Sequence, residues 1–550
     1  MDPARAADLV TAHTLLNCLV REVSAPELQT SVSDDHLTVR LPRCDVLLRV
    51  AVRRVSMIGA HRFLGPVQRH DGVQWTQIGW RELAGYIRDE LELLTGVVNE
   101  EFLDQVASSR EAIHIAATQR LRLKPSRDPY LDSEQSLIFG HRFHPTPKAR
   151  IGDARQWLAF GPETGRRFPL RYLAVRPELV AGEGDHRLLD HLHPSPGTDA
   201  CVLPVHPWQY QMLREHRSVR RALDRGELVD LGTHGPWFTP TASVRTLYTP
   251  TLDVFLKFSL NIRITNCVRK NARYELSGAV ALNQILQPVF SELALRYPGC
   301  ELLGEHGYRT LNLQGDPDVV EGFGVIVREG LRPHLLPGVT PLLAAAVADE
   351  HHSSTAQVAS LLARGNGDLS IWWDAYLGLL MPPVLAAYFH HGVVLEPHLQ
   401  NVVVGVSADG TPTQMIFRDL EGVKLLPEHH QRALAKMPAD VREPLTYDTA
   451  RGWNRVAYCL LVNHVAEVLA ALADVHPGLE PVLWEQVRDH LDAFSRHEGN
   501  PPQLRALLAG APLPAKANLL LRWARQADRH ATYVALPHPL GLTRAGQGTL

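Results

Sequence analysis

The texture of the sequence changes partway along the chain, and this change limits what the chain can fold into. From Gln135 to about Thr310, short runs of strand-forming residues alternate with Pro and Gly, as in LDVFLKFSLNIRITN. After a Gly- and Pro-rich passage, long helical patterns such as RVAYCLLVNHVAEVLAALADV dominate. Residues 1 to about 125 mix both patterns. We therefore predict an α+β protein.

The length of the chain predicts several subdomains. At 550 residues it exceeds the size at which a single core keeps growing. We predict three subdomains: an α+β subdomain at 1–130, a β-rich subdomain with most of the polar motifs at 131–320, and a helical subdomain with an inserted strand-loop-strand at 321–550.

Charge and apolar patterning exclude several classes of protein. Lys and Arg number 56 against 59 Asp and Glu, a formal charge of −3, so a nucleic-acid binder is not expected. Charged residues interrupt the first ten positions, which predicts a cytoplasmic protein without a secretory signal. The apolar stretch 375–389 is shorter than the ~20 residues that span a bilayer, so we predict a buried helix and no membrane association. The six cysteines lack metal-ligand spacing and are expected to be reduced thiols.

Two polar clusters follow one another in the last third of the chain. The segments VVLEPHLQNVVVGV and TQMIFRDLEG place Glu396, Asn401 and Asp419 beside strand-like runs. Magnesium at nucleotide sites takes one or two carboxylates with phosphate oxygens and water, so these residues are candidate metal ligands. The layout is similar to the metal-binding Asn and Asp of protein kinases. The alternative is that the polar residues satisfy turn hydrogen bonds and that Asp419 pairs with Arg418.

A strand-like segment upstream is rich in hydrogen-bond donors. Alternation along FLKFSLNIRITNCVRKN places several polar residues on one strand face, namely Lys257, Ser259, Asn261, Arg263 and Thr265. Burying so many donors unpaired is costly, which predicts an anionic ligand such as a triphosphate or a polycarboxylate, with Arg245 and Arg269 as clamps. The alternative is an ordinary solvated sheet face.

The motifs of familiar nucleotide and hydrolase sites are missing from the sequence. There is no GxxxxGK[ST], no GxGxxG after a strand, no HExxH and no GxSxG. The loop GHRFHPTPKARIG (140–152) combines two His, one Lys and two Arg, which suits a nucleotide's base and phosphates, although His141 alone is interpreted as structural. ATP, if it binds, is expected in an unusual cleft.

Four motifs in order carry a family resemblance: GHRFHPTPKARIG, HPWQ (206–209), SVRT with KFSLNIRITNCVRKN, and EPHLQN with RD. Together they resemble the IucA/IucC family, the NRPS-independent siderophore synthetases that serve iron acquisition. The resemblance implies a cupped-hand architecture of thumb, fingers and palm, matching the three predicted subdomains, with ATP and Mg²⁺ at a mixed sheet in the palm. It also implies a homodimeric ligase that adenylates a polycarboxylic acid, most often citrate, releases pyrophosphate, and passes the acyl group to an amine or hydroxyl.

The resemblance also assigns roles to residues. It implies nucleotide binding by His144, Lys148, Ser243, Arg245, Lys257 and Arg269. It implies magnesium binding by Glu396, Asn401 and Asp419. It implies substrate binding by Thr265, Arg269, His398, Gln400 and Lys516, with Arg269 and His398 as catalytic residues. HPWQ is interpreted as a folding motif in which Trp208 packs while His206 and Gln209 hold a turn.

Two other functions stay open at this point. A small-molecule kinase would use the same magnesium ligands and release ADP, but the sequence has no Gly-rich lid. A protein that only binds a polycarboxylate or its iron chelate would keep the basic residues and leave the three candidate metal ligands without a purpose.

Overall fold

The computed structural model describes residues 2–33, 35–124, 126–150, 152, 154–193, 200–264, 267–351, 354–365, 367–526 and 532–542. It confirms the predicted α+β class.

The N-terminal section packs three helices on one antiparallel sheet. The five strands are neighbours in chain order, and the long strand Val46–Arg54 alternates between buried and more exposed residues, as expected of a sheet with one covered face. The helices are α1 (Pro3–Leu19), α2 (Trp80–Thr95) and α3 (Phe102–Arg120), and the strands are β1 (Thr30–Ser33), β2 (His36–Leu41), β3 (Val46–Arg54), β4 (Arg62–His70) and β5 (Trp75–Gln77). A π-helical segment, Val20–Ser24, continues α1.

The middle section is built on an eight-stranded antiparallel sheet of order β7-β15-β16-β11-β10-β9-β6-β8. Its helices are α4 (Pro129–Gln135), α5 (Ala154–Phe160), α6 (Pro207–Leu213), α7 (Arg217–Asp224), α8 (Arg273–Arg296) and α9 (Pro317–Gly322). Its strands are β6 (Phe168–Val175), β7 (Val180–Gly184), β8 (Cys201–Val205), β9 (Leu228–Pro240), β10 (Thr246–Thr249), β11 (Val254–Phe258), β12 (Leu260–Ile264), β13 (Cys267–Arg269), β14 (Cys300–Leu302), β15 (Glu305–Leu311) and β16 (Val325–Glu329).

The single strand face predicted from Lys257 to Thr265 is wrong. The strand breaks at Ser259: β11 belongs to the large sheet, whereas β12 forms a separate hairpin with β13. The Ser259 N–H donates to the Gly324 carbonyl at 2.9 Å, and its hydroxyl accepts from the Asn271 N–H at 2.9 Å. These tertiary hydrogen bonds replace the ladder that a longer strand would make. The Arg263 side chain and Thr265 lie outside the described part of the chain.

HPWQ is confirmed as a folding motif. His206 caps α6 by accepting a hydrogen bond from the Trp208 N–H at 3.1 Å, and Trp208 is buried. The Gln209 amide donates to Asn261 at 3.0 Å and to the Gly322 carbonyl at 2.7 Å. The motif thus joins α6 to β12 and to the end of α9.

The C-terminal section surrounds a four-stranded mixed sheet of order β14-β20-β19-β17, in which β14 and β20 are parallel. Its strands are β17 (Thr340–Leu343), β18 (Val393–Val394), β19 (Val402–Val406), β20 (Pro412–Phe417), β21 (Lys424–Leu425), β22 (Leu513–Lys516) and β23 (Tyr533–Leu536). Its helices are α10 (Ala344–Val347), α11 (Val358–Leu362), α12 (Leu369–Phe389), α13 (Pro427–Leu434), α14 (Ala439–Arg442), α15 (Thr449–Ala457), α16 (Ala466–Val475), α17 (Glu480–His497), α18 (Pro502–Leu508), α19 (Asn518–Trp523) and α20 (Pro539–Leu542). A second π-helical segment, Tyr458–Val465, joins α15 to α16.

Among the residues that the structure describes, two helical stretches are long and apolar enough to cross a membrane, Leu369–Phe389 and Thr449–Val475. Their most apolar windows are 61% and 94% buried inside the protein, so both serve as core helices. The first confirms the buried helix expected at 375–389 and begins earlier, at Leu369.

The two ends of the described chain pack together. Leu519 and Trp523 of α19 complete the core between the N-terminal sheet and its helices. The Glu22 carboxylate accepts hydrogen bonds from the N–H groups of Leu519 at 2.7 Å and Leu520 at 2.9 Å, which caps α19. The predicted subdomain boundaries remain a prediction.

Candidate active site

The three predicted magnesium ligands lie at one end of the β19–β20 hairpin. Because Val402 pairs with Phe417 in this antiparallel pair, the residues before β19 and after β20 meet at the same edge of the sheet. The Arg418 N–H donates to the Asn401 carbonyl at 3.0 Å. Glu396, Asn401 and Asp419 all line one small cavity there.

Asp419 is held in a strained backbone conformation. Its φ of 73° and ψ of 92° fall where residues other than glycine are rare, at a cost of about 1–3 kcal/mol. Its carboxylate lies 2.5 Å from the Lys257 ammonium. Burial alone would raise the pKa of Asp419, but Lys257 and Arg328 outweigh burial and hold that pKa well below its ordinary value. Such strain is found mainly at functional sites.

The cations predicted to bind phosphate contact these acids directly. Lys257 is 1% exposed and also lies 2.9 Å from Glu421. Arg245 forms an ion pair with Glu421 and donates to the Asn271 side chain at 2.5 Å. Burial would raise the pKa of Glu421, but Arg245 and Lys257 lower it to about 2. The structure therefore brings two predicted phosphate residues, Lys257 and Arg245, into one ionic cluster with the predicted metal ligand Asp419 and with Glu421.

A second strained position precedes Arg245. Val244 has a φ of 70°, which is a clear outlier for a β-branched residue. The Ser243 hydroxyl accepts from the Thr246 N–H at 3.2 Å, and the Thr241 N–H donates to the Thr246 carbonyl at 2.9 Å. This tight turn fixes the backbone at Arg245, directly before β10 begins.

Glu396 reaches the cavity because Gly422, which lies next to its carboxylate, has no side chain. A Cβ added at Gly422 would lie 2.0 Å from Glu396 Oε2. Arg455 of α15 forms an ion pair with the Glu396 carboxylate. The oxygen in this ion pair is Oε1, so a metal ion bound there would compete with Arg455 for it.

Arg418 turns away from Asp419, so the alternative pairing of these neighbours is wrong. Its guanidinium donates to Glu134 of α4 at 2.5 Å and to the Tyr130 hydroxyl at 2.7 Å. It also donates to the Gln400 carbonyl at 2.8 Å. Arg418 thereby fixes the loop that carries the candidate metal ligands to α4.

The predicted substrate residues His398, Gln400 and Lys516 lie on the β19 side of the cluster. Burial lowers the pKa of the His398 ring, while Glu396 and Asp419 partly counter the effect and Lys516 adds to it. Lys516 ends β22, opposite Tyr533.

Three further residues predicted to bind nucleotide, Arg269, Lys148 and His144, contact other groups of the protein. The Arg269 carbonyl faces the Arg245 guanidinium at 3.5 Å. Lys148 forms an ion pair with the buried Glu163, and the His144 ring accepts from the Thr146 N–H at 3.2 Å. Their proposed roles toward a nucleotide stay predictions, as does that of Thr265, which is not described.

Sequence reasoning missed several members of the ionic cluster: Glu275, Asn271, Glu305, Arg328, Glu421 and Arg455. Glu421 stands two residues after Asp419, and Asn271 ends the basic segment. Their places beside the quoted motifs could have marked both as candidate site residues. Arg328 and Arg455 lie in ordinary strand and helix patterns and had none.

Comparison with known proteins gives two family matches. The model of the IucA / IucC family matches residues 129–349, and that of the ferric iron reductase FhuF-like transporter matches residues 370–531.

Similar proteins cover most of the chain. An L-2,3-diaminopropanoate–citrate ligase of Staphylococcus aureus is 28% identical, over 75% of each chain. The rhizobactin siderophore biosynthesis protein RhbC of Rhizobium meliloti is 28% identical, over 98% of each chain. The structure of ATP-bound aerobactin synthetase IucA from Klebsiella pneumoniae superposes with a TM-score of 0.86 at 24% identity, covering 97% of this chain and 99% of that one.

Proposed function

Since the chain belongs to the IucA/IucC family of siderophore synthetases, a family of ligases, we propose that it condenses citrate with an amine at the expense of ATP. A citrate carboxylate oxygen attacks the α-phosphorus and pyrophosphate leaves; the amine nitrogen then attacks the acyl carbon, AMP leaves and the amine loses a proton. We also propose, from the resemblance alone, a cytoplasmic homodimer.

The observation that carries this proposal is the buried contact of Lys257 and Arg245 with Asp419 and Glu421. Displacing pyrophosphate builds negative charge, which preplaced cations in a water-poor cleft stabilise strongly. The structure shows both cations held by carboxylates. A triphosphate would take over the cations and free the carboxylates.

The residues at the cavity fit a magnesium ion. Glu396, Asn401 and Asp419 offer hard oxygen donors at one small cavity, and Glu396 would be shared between the ion and Arg455. When bound, the ion would neutralise phosphate charge and orient the triphosphate. Asp419 would then bind the ion in place of the Lys257 ammonium.

The acid is proposed to bind beside this cluster. His398, Gln400 and Lys516, together with Arg269 and Thr265, would hold the citrate carboxylates. His398 keeps a neutral ring near neutral pH because its pKa is lowered by burial. A neutral ring can accept the proton that the amine loses.

The test is to identify the nucleotide product. The protein is incubated with ATP, Mg²⁺, one acid from a panel of citrate, 2-oxoglutarate and succinate, and hydroxylamine as the trapping nucleophile. AMP and pyrophosphate that depend on citrate support the proposal. ADP would assign a kinase or acyl-phosphate ligase, and citrate binding without turnover would assign a binding protein.

A further inference from the structure

Two carboxylates stand between solvent and the two cations of the ionic cluster. The Lys257 and Arg245 side chains are 2% and 6% exposed, whereas those of Asp419 and Glu421 are 29% and 30% exposed. An anion that enters from solvent therefore meets two like charges before it reaches a cation. To bind either cation, it must displace a carboxylate.

One oxygen of Glu421 contacts both cations at once. Its Oε2 lies 2.9 Å from Lys257 Nζ, and the same atom accepts a hydrogen bond from Arg245 Nη2. Arginine and lysine side chains bind phosphate oxygens through the same charge-assisted hydrogen bonds that they make to carboxylates. Glu421 Oε2 thus occupies a position that suits a phosphate oxygen.

Asp419 and Glu421 differ in what else they contact. Asp419 also lies 3.4 Å from Arg328 and lines the small cavity that holds the candidate magnesium ligands. In the described part of the chain, Lys257 and Arg245 are the only groups that form ion pairs with the Glu421 carboxylate within 4.0 Å. A ligand that takes both cations therefore leaves Glu421 without a partner, and its carboxylate returns to water.

The surroundings of Glu421 favour this movement. The residue lies in the single turn Leu420–Gly422, against which α8 packs. Glu275 of α8 is a neighbouring acid, and burial and Glu421 together raise the pKa of Glu275 to about 7. Once phosphate neutralises the cations, like charges repel the Glu421 carboxylate, and rotation of its side chain is enough to release it.

We infer that Glu421 is an internal competitor of the phosphates: it holds Lys257 and Arg245 until a triphosphate displaces it, and it returns to them when pyrophosphate leaves. Glu421 thereby weakens the binding of the product and promotes its release. The inference rests on the proposed function, because it concerns the phosphate site of the same ligase. It is separable from that proposal, because the binding of pyrophosphate is measured without turnover.

The expected effect of a substitution follows from the competition. When the binding-competent state is only a fraction of the molecules, the apparent Kd of a ligand is its intrinsic Kd divided by that fraction. Glu421→Gln keeps the shape of the side chain and removes its charge, which leaves weaker, neutral hydrogen bonds to the cations. The variant should therefore bind pyrophosphate more tightly than the wild type. A glutamate that only supported the site would give unchanged or weaker binding when substituted.

The experiment is calorimetric titration with inorganic pyrophosphate at pH 8, once in EDTA and once with Mg²⁺. The proteins are the wild type, Glu421→Gln and two controls. Glu27→Gln removes an acid of similar exposure, 33%, that lies 2.9 Å from Arg43 in the N-terminal section. Glu275→Gln removes the neighbouring charge, whose carboxylate accepts hydrogen bonds from the Ala272 N–H at 2.8 Å and the Tyr274 hydroxyl at 3.1 Å.

We expect Glu421→Gln in EDTA to bind pyrophosphate about tenfold more tightly than the wild type, equivalent to about 1.4 kcal/mol. Glu27→Gln should match the wild type, and Glu275→Gln should tighten binding by no more than about threefold, because salt screens a charge that is not in contact. Equal or weaker binding by Glu421→Gln overturns the inference. Weakening seen only with Mg²⁺ also overturns it and assigns Glu421 as a metal ligand. Equal tightening in Glu275→Gln overturns it as well, because net charge alone then explains the effect.

A wild-type measurement decides the question if Glu421→Gln does not fold. In a crystal structure with bound pyrophosphate, we expect a phosphate oxygen between Lys257 and Arg245 and the Glu421 carboxylate turned away from both. A Glu421 that still contacts both cations overturns the inference, and so does a wild type and a folded Glu421→Gln that both fail to bind pyrophosphate. A wild type that binds pyrophosphate but releases no AMP with citrate and hydroxylamine contradicts the proposed function alone, and the titrations still decide the role of Glu421.

Discussion

Replacing Lys257 with methionine tests the ionic cluster most directly. The ammonium lies 2.5 Å from Asp419 and 2.9 Å from Glu421, and the lysine is 1% exposed. Methionine keeps the apolar stem and removes the charge, so two carboxylates lose a shared partner. Breaking a buried ion pair costs ~3–5 kcal/mol. Because the Asp419 and Glu421 side chains are 29% and 30% exposed, water screens part of this loss, and we expect about 3 kcal/mol.

The pH dependence supplies an independent check on that magnitude. The pKa of Glu421 is about 2, against an ordinary value of 4.5. A carboxyl whose pKa is depressed by folding stabilises the fold above its unfolded pKa, and this stability is lost as the pH falls through its folded pKa. The loss of unfolding free energy caused by Lys257→Met should therefore be fully present at pH 7 and smaller at pH 4.

The assay is urea unfolding followed by tryptophan fluorescence at both pH values, together with AMP release. The matched control is Lys270→Met, which removes the ammonium 2.9 Å from the exposed Asp318 and should cost about 0–1 kcal/mol. Lys257→Met should also lose AMP formation by at least a hundredfold, since removal of one preplaced group that stabilises developing charge costs about 10²–10³ in kcat. Equal unfolding midpoints for the wild type and Lys257→Met at pH 7 would refute the assignment of a stabilising cluster.

Three further outcomes are expected. Gly422→Ala should reduce citrate-dependent AMP release at least tenfold, because the added Cβ would lie 2.0 Å from Glu396 Oε2. The control Gly478→Ala, which has open space around it, should leave that rate unchanged. Equal rates for the two variants would contradict the steric argument. Glu275→Gln should stabilise the protein relative to the wild type at pH 8 and not at pH 4, because burial and Glu421 raise the pKa of Glu275 from 4.5 to about 7. The penalty for the wild type grows as the pH rises from the unfolded pKa to the folded pKa and is complete above it; melting temperatures at the two pH values decide this. Asp419→Asn should abolish AMP formation at millimolar Mg²⁺, as should EDTA with the wild type; turnover that survives either change would remove the metal from the proposal.

The residues of the candidate site could be foreseen where a short motif fixes them in space. Glu396, Asn401 and Asp419 flank two adjacent apolar runs, and an antiparallel hairpin brings the flanks of such runs together whatever surrounds it. The partners of these residues come from distant elements. Lys257 was predicted to bind phosphate, but its contact with Asp419 depends on how β11 packs beside the mixed sheet, which no local pattern records.

The strand break at Ser259 was beyond sequence reasoning for a similar reason. The run LDVFLKFSLNIRITN contains neither Pro nor Gly, and its composition favours one continuous strand. The break is imposed by hydrogen bonds to Asn271, twelve residues on, and to Gly324, which is remote in sequence.

The packing of α19 into the N-terminal core has a consequence for the order of folding during synthesis. Trp523 and the backbone that Glu22 caps must be present before that core is complete, yet they leave the ribosome about five hundred residues later. At ~5–20 residues per second, the N-terminal helices wait for roughly half a minute or more with an unfilled apolar groove. Partial chains that stop before residue 518 would keep that groove exposed, so shielding by chaperones matters most for the first part of this protein to be made.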